Sequence, residues 1–174
     1  MKQRVRGMMI LTAIGLLACS CMTTPPPAPP PTVTSELPAS VEGEACRRQE
    51  GKTSLRKDAK HGKTLLLKAG QQAEYLIQLE EAGDYALVVR YGNDDSDRGD
   101  DLIVIANGRR VAAFHANNTR RDNQKPGEGW NEFAESDALI LKGLPAGENT
   151  IALYIDDADA FGVEIDRLTF SRQP

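Results

Sequence analysis

The chain has 174 residues, 40% of them apolar, 26% charged and only 5% aromatic, with a formal net charge of −4. That length and apolar fraction suit one folded core of ordinary domain size plus a short appendage. Nucleic acid is excluded as an expected partner, because a phosphate binder needs clustered Lys and Arg, whereas the pairs Arg47-Arg48, Arg109-Arg110 and Arg120-Arg121 are scattered among acidic residues and read as solvated surface.

In chain order, Lys2, Arg4 and Arg6 precede an apolar run from Met8 to Ala18, and Leu16-Leu17-Ala18-Cys19 closes it. A basic start, a short apolar stretch and a small residue at the boundary are the features that secretory processing reads. The eleven residues of that run rise about 16 Å as a helix against a hydrocarbon core of about 30 Å, so they are too short to span a bilayer. The quartet resembles the lipobox of bacterial lipoproteins. The resemblance implies that residues 1–18 are a signal peptide and that Cys19 is acylated, which anchors a protein in the membrane without crossing it. Ser20 stands where many inner-membrane lipoproteins carry Asp, which implies an outer-membrane lipoprotein facing the periplasm or the cell surface. The alternative is an ordinary signal peptide cut near Ala18 or Ser20. Removing the first 18 residues leaves 18 basic against 25 acidic side chains, a net charge of −7.

Residues 19–36 form the expected tether. Pro25-Pro26-Pro27-Ala28-Pro29-Pro30-Pro31 has no apolar face to bury and six positions without a backbone donor. A dozen such residues in polyproline II form reach on the order of 35 Å. Cys21 and Cys46 remain once Cys19 is acylated, in an oxidising compartment where a disulfide persists. Either the pair staples tether to domain, or Cys46 is a buried free thiol.

From residue 37 to 174 no helical periodicity is sustained. Short runs rich in Val, Ile, Leu and Tyr recur between Gly, Asn, Asp and Pro breaks, which predicts an all-β sandwich. Nine strands are expected: 40–45, 63–67, 74–79, 84–91, 102–106, 110–114, 137–141, 150–155 and 162–170. Tyr85, Leu87, Val89 and Tyr91 alternate with Ala86, Val88 and Arg90. Ile151, Leu153 and Ile155 alternate with Ala152 and Tyr154. Each set presents one face to a core. Asn107-Gly108 lies between two of the runs and suits a two-residue hairpin turn that demands positive φ angles. The acidic loop 93–101 and the polar loop 116–128 are expected to be exposed. The acidic loop fails the EF-hand template, because Arg98 occupies the required Gly and Val104 the closing Glu. It reads as a solvated turn, with a metal-bridged ligand site as the alternative. Asp156, Asp157 and Asp159 form a second acidic tip.

The order Glu81-Ala82-Gly83-Asp84-Tyr85, Val89-Arg90-Tyr91-Gly92-Asn93, Asn107-Gly108, Gly129-Trp130, Pro145-Ala146-Gly147-Glu148-Asn149-Thr150-Ile151 and Val163-Glu164-Ile165-Asp166, with the opening Val41-Glu42-Gly43-Glu44-Ala45, resembles carbohydrate-binding module families 6 and 35. The resemblance covers about residues 38–172. It implies a β-jelly roll of galactose-binding-like type, often with a structural Ca2+, and a sugar site of loop aromatics with an Asn near the last strand. Trp130 and Phe161 fall where the family places ligand-facing rings, and Asn93, Asn117, Asn118 and Glu164 are candidate polar contacts. For either ring, the other reading is a plug capping one end of the sandwich. The chain departs from the family at Glu164, where a sugar-binding member commonly has Asn, and Trp130 is its single Trp.

Asp166 demands a partner on its own account. Strict alternation puts Glu164, Asp166, Leu168 and Phe170 on one side, and an unpaired charge among apolar residues costs several kcal/mol. If the first and last strands pair, as the family implies, Glu42 and Glu44 come near Asp166 and the three suit Ca2+, which takes six to eight oxygens. The other reading pairs Asp166 with Arg47, Arg48 or Arg56. His61 and His115 lie in no nucleophile or metal-ligand pattern, and a small sandwich offers little cleft for glycoside hydrolysis, so no enzyme is expected. The expected function is a lipid-anchored module recognising glycan in the envelope or outside the cell. The alternative is a structural lipoprotein making protein contacts in an envelope, adhesion or motility assembly.

Overall fold

A computed structural model describes residues 39–94, 99–158 and 161–173. The expected signal segment, Cys19, Cys21, the proline tether, Asp95, Asp97, Arg98 and Asp159 lie outside the described residues. Twelve strands and no helix are found among the described ones: β1 (Ala39–Glu42), β2 (Arg48–Gln49), β3 (Lys52–Leu55), β4 (Lys63–Leu67), β5 (Gln72–Leu79), β6 (Gly83–Asn93), β7 (Asp100–Ala106), β8 (Arg109–Ala116), β9 (Ala134–Glu135), β10 (Leu139–Leu144), β11 (Gly147–Asp157) and β12 (Val163–Arg172). All nine expected strands are present. The three additions, β2, β3 and β9, are short and largely exposed, so they carry no apolar alternation for a sequence pattern to show.

The strands form two sheets. One has the order β10-β6-β12-β4-β3, with β1 also on β12 and β9 on β6; the other runs β2-β5-β11-β7-β8. Period-two alternation explains how they stack. Tyr85, Leu87, Val89 and Tyr91 of β6 and Leu65 and Leu67 of β4 face Tyr75 and Ile77 of β5, Leu102 and Val104 of β7, and Ile151, Leu153 and Ile155 of β11 in one core. Asn107 and Gly108 take φ of 49° and 76° and join Ala106 to its cross-strand partner Arg109, which is the expected two-residue hairpin.

Two local irregularities shape the outer face of the larger sheet. On β12, Ile165 pairs with Tyr91 and Arg167 with Arg90, so Asp166 is an extra residue, a β-bulge. The bulge shifts the alternation by one. Val163 and Ile165 share the core side with Leu168 and Phe170, while Glu164 and Asp166 lie on the outer side. The expectation from strict alternation, Asp166 level with Leu168 and Phe170, is therefore corrected by one inserted residue.

The second irregularity is at Gly43, where the chain leaves β1 and crosses β12. Its N–H donates to the Asp166 carbonyl at 2.8 Å and its carbonyl accepts the Tyr75 hydroxyl at 2.8 Å. A Cβ there would overlap the Ile165 carbonyl. Only glycine permits this approach, and it carries Glu42 and Glu44 to the bulge.

Candidate functional site: two arginine clamps on the last strand

Glu164 and Asp166 are each fully buried, yet on the outer face of the seven-stranded sheet. Two segments roof them there, the turn after β3 and the loop 129–133 before β9. Gly92 lets the second segment down onto the sheet, since a Cβ at Gly92 would stand 3.3 Å from the Phe133 ring.

Each carboxylate has its own arginine. Arg56 Nε and Nη2 donate to Glu164 Oε2 and Oε1 at 2.7 and 2.5 Å, and the Thr64 hydroxyl adds a bond to Oε2 at 2.9 Å. Arg90 Nη1 donates to Asp166 Oδ2, and the Lys60 backbone N–H reaches Oδ1 at 2.9 Å. Bidentate and backbone donors together satisfy groups that would otherwise pay heavily for burial. Each guanidinium in turn lies over a ring, Arg56 at 5.4 Å from the Trp130 centroid and Arg90 at 4.5 Å from that of Phe133, contacts of about 1 kcal/mol each. The result is two parallel stacks of aromatic, guanidinium and carboxylate, two residues apart on β12. Asp166 does meet a cation, but it is Arg90, and Arg56 serves Glu164 instead.

Of the expected ligand contacts, Trp130 is half-buried at this end of the sandwich and linked to Glu164 through Arg56. Glu164 has no accessible surface, and both its oxygens are engaged, so its expected direct contact with ligand is corrected to a supporting contact beneath Arg56. Asn93 is corrected likewise. It is fully buried, and its side-chain amide donates to the Ala116 carbonyl at 2.7 Å, which fixes the loop rather than facing solvent. Phe161 is 41% exposed in the β11–β12 connection. At the two ends of the acidic loop, Asp94 and Asp100 are buried, against the expectation of solvated residues, and Asp94 Oδ2 accepts the Gly129 N–H at 2.9 Å.

The first and last strands pair as expected, and beside the bulge Glu42 is near enough to feel the charges of both Asp166 and Glu44. One oxygen of each glutamate is buried without a hydrogen-bond partner. Burial pushes the Glu42 carboxyl above its ordinary range; Asp166 and Glu44 add to this, against His61, whose Nε2 lies 3.0 Å from Glu42 Oε1, and Arg167. Orphaned carboxylate oxygens short of positive charge are the donor set of a hard cation such as Ca2+. Asp166 is committed elsewhere, and among the described residues no three His, Cys, Asp or Glu side chains make up a metal centre by themselves. Cys46 is a free thiol, half-buried, with its Sγ donating to Gln49 Oε1 at 3.3 Å; burial raises its pKa.

No protein-family model matches the chain. A 1,6-alpha-glucosyltransferase of Sporosarcina globispora is 30% identical over 102 residues, 59% of this chain; the chain spans about 7% of that enzyme's length. Among solved structures, a family 35 carbohydrate-binding module from Clostridium thermocellum superposes with a TM-score of 0.64 at 17% identity, covering 79% of this chain and 99% of that one. A family 6 module from Cellvibrio mixtus lichenase 5A, in complex with cellotriose, gives 0.62 at 16% identity over 78% and 98%. The C-terminal family 6 module of a Zobellia galactanivorans laminarinase gives 0.61 at 15% over 77% and 98%. Two sheets in this order, spanning almost the whole of those modules, give the chain the β-sandwich fold of carbohydrate-binding modules of families 6 and 35.

Proposed function

We propose that this chain is a non-catalytic glycan-binding module, held at the outer membrane by an acylated Cys19 and a proline-rich stalk. The observation that carries the reading is the sandwich itself, shared along nearly its full length with modules that include one solved with cellotriose. Trp130 is the contact residue, because a half-exposed ring at a loop end offers a flat apolar surface to the C–H faces of a sugar. Arg56 sets that ring's position and supplies further donors beside it. Hydrolysis is disfavoured on chemical grounds. Glu164 and Asp166 are both tied to arginines, so neither is placed as a proton donor to a glycosidic oxygen. Pull-down on purified polysaccharides and peptidoglycan tests the proposal. Retention on at least one glycan, lost in Trp130→Ala, is expected; indifference of the wild-type chain to all of them would sink it.

One observation favours a second reading, a structural lipoprotein with protein partners. Arg56 already covers the Trp130 ring, and the acceptors beneath are used up. Crosslinking in intact cells separates the two, since defined protein adducts without glycan retention would assign the loop end to protein contacts.

A calcium ion, which the resemblance to these families implies, would be held by Glu42 and Glu44, each of which has an unmatched buried oxygen beside the bulge. Bound there it would neutralise the repulsion around the β12 bulge.

A further inference from the structure

The open edge of the sandwich, where β8 of one sheet runs past β9 and β10 of the other, contains a cavity of about 410 Å3, within the size range of small-molecule sites. It lies apart from Trp130 and Arg56, neither of which lines it. Its aromatic side is the Tyr91–Phe114 pair, with centroids 5.7 Å apart and planes tilted by 49°. Glu135 and Asp137 form its acidic side, and the one basic side chain in its lining, His115, is held by Asp101 Oδ1 at 2.7 Å. Glu135 has only a loose contact, 3.8 Å, with Arg167, and the exposed Asp137 side chain forms no ion pair among the described residues. The acidic segment is not a floppy rim. Ser136 bonds the Val89 backbone in both directions, its N–H donating to the carbonyl at 2.9 Å and its Oγ accepting the N–H at 3.0 Å. The Tyr91 side chain is 3% exposed, and its hydroxyl accepts the Asn117 N–H at 3.1 Å, which leaves the phenolic proton to donate.

We infer that this cavity is a second binding site, for a small ligand carrying a primary ammonium next to a hydroxyl, the chemistry of amino alcohols and amino sugars. The ammonium meets Glu135 and Asp137 and the ring faces, which attract cations through their quadrupoles. The ligand hydroxyl accepts the Tyr91 proton. A neutral sugar of the same shape leaves both carboxylates without a counter-charge.

The test is an amide chemical-shift titration of the full 15N-labelled chain in detergent. Glucosamine is expected to shift residues 91, 113–117 and 135–139 saturably, with 2-aminoethanol shifting the same set and so separating the sugar from the amine as the recognised part. The Glu135→Gln, Asp137→Asn double variant should weaken glucosamine binding by about fivefold, the order of one exposed charge pair, with an unchanged melting temperature. Trp130→Ala should leave the titration as it is, so failure of the glycan reading and failure of this one are distinguishable. Equal shifts from glucose or N-acetylglucosamine, or no shift at these amides, would overturn the assignment.

Discussion

Glu164 shows how far a single residue can be read from its type alone. Its identity pointed to a polar role at the loop end, and that much holds. What its identity could not disclose is that Arg56, 108 positions earlier, folds over it and rests on Trp130. Removing one partner of such a buried pair leaves a guanidinium without its counter-charge, so Glu164→Ala should lower unfolding free energy by roughly 3 kcal/mol, measured as a shifted urea midpoint. The single Trp makes the same contact visible. Arg56→Ala, which uncovers the ring, should shift Trp130 emission to longer wavelength, while Arg90→Ala, acting on Phe133, should not. An unmoved spectrum in Arg56→Ala would mean that the stack is not populated in solution.

Among the elements, legibility followed burial. β6 and β11 announced themselves by alternation because each presents one apolar face to the core. β2, β3 and β9 did not, since a strand with no buried face has no pattern; Leu55 of β3 is 77% exposed. The bulge in β12 was equally silent, because an inserted residue is defined by its partner strand rather than by its own sequence. That one insertion decides where both carboxylates point, and so most of the site lay beyond sequence reading. The Glu42-Gly43-Glu44 crossing carries its own prediction. Because burial raises the Glu42 pKa in the folded state, the stability it contributes is complete below the unfolded pKa and is lost as pH rises through the folded one. At neutral pH, without metal, Glu42→Gln should therefore raise the melting temperature. Added Ca2+ should raise it in the wild-type chain and not in Glu44→Gln; a wild-type melt that ignores both Ca2+ and chelator would rule the metal out.

For the molecule as a whole, the sandwich was readable because two sheets sharing one core need only period-two apolar runs and turn residues between them. The proposed attachment to a membrane rests on the sequence before the first strand, and is tested separately. Cys19→Ala should move the protein from the detergent phase to the aqueous phase in a cloud-point partition, with the domain's melting temperature unchanged. Partition into the aqueous phase by the wild-type chain would leave the anchor without support.

The antiparallel seating of β1 on β12 has a bearing on display. Ala39 sits abreast of Phe170, six residues along β12 from Glu164, about 20 Å at strand rise. A stalk of the kind proposed would therefore grip the domain by the heel, with the Arg56–Trp130 tip on the far side, and a longer or shorter leash would change how far that tip can travel.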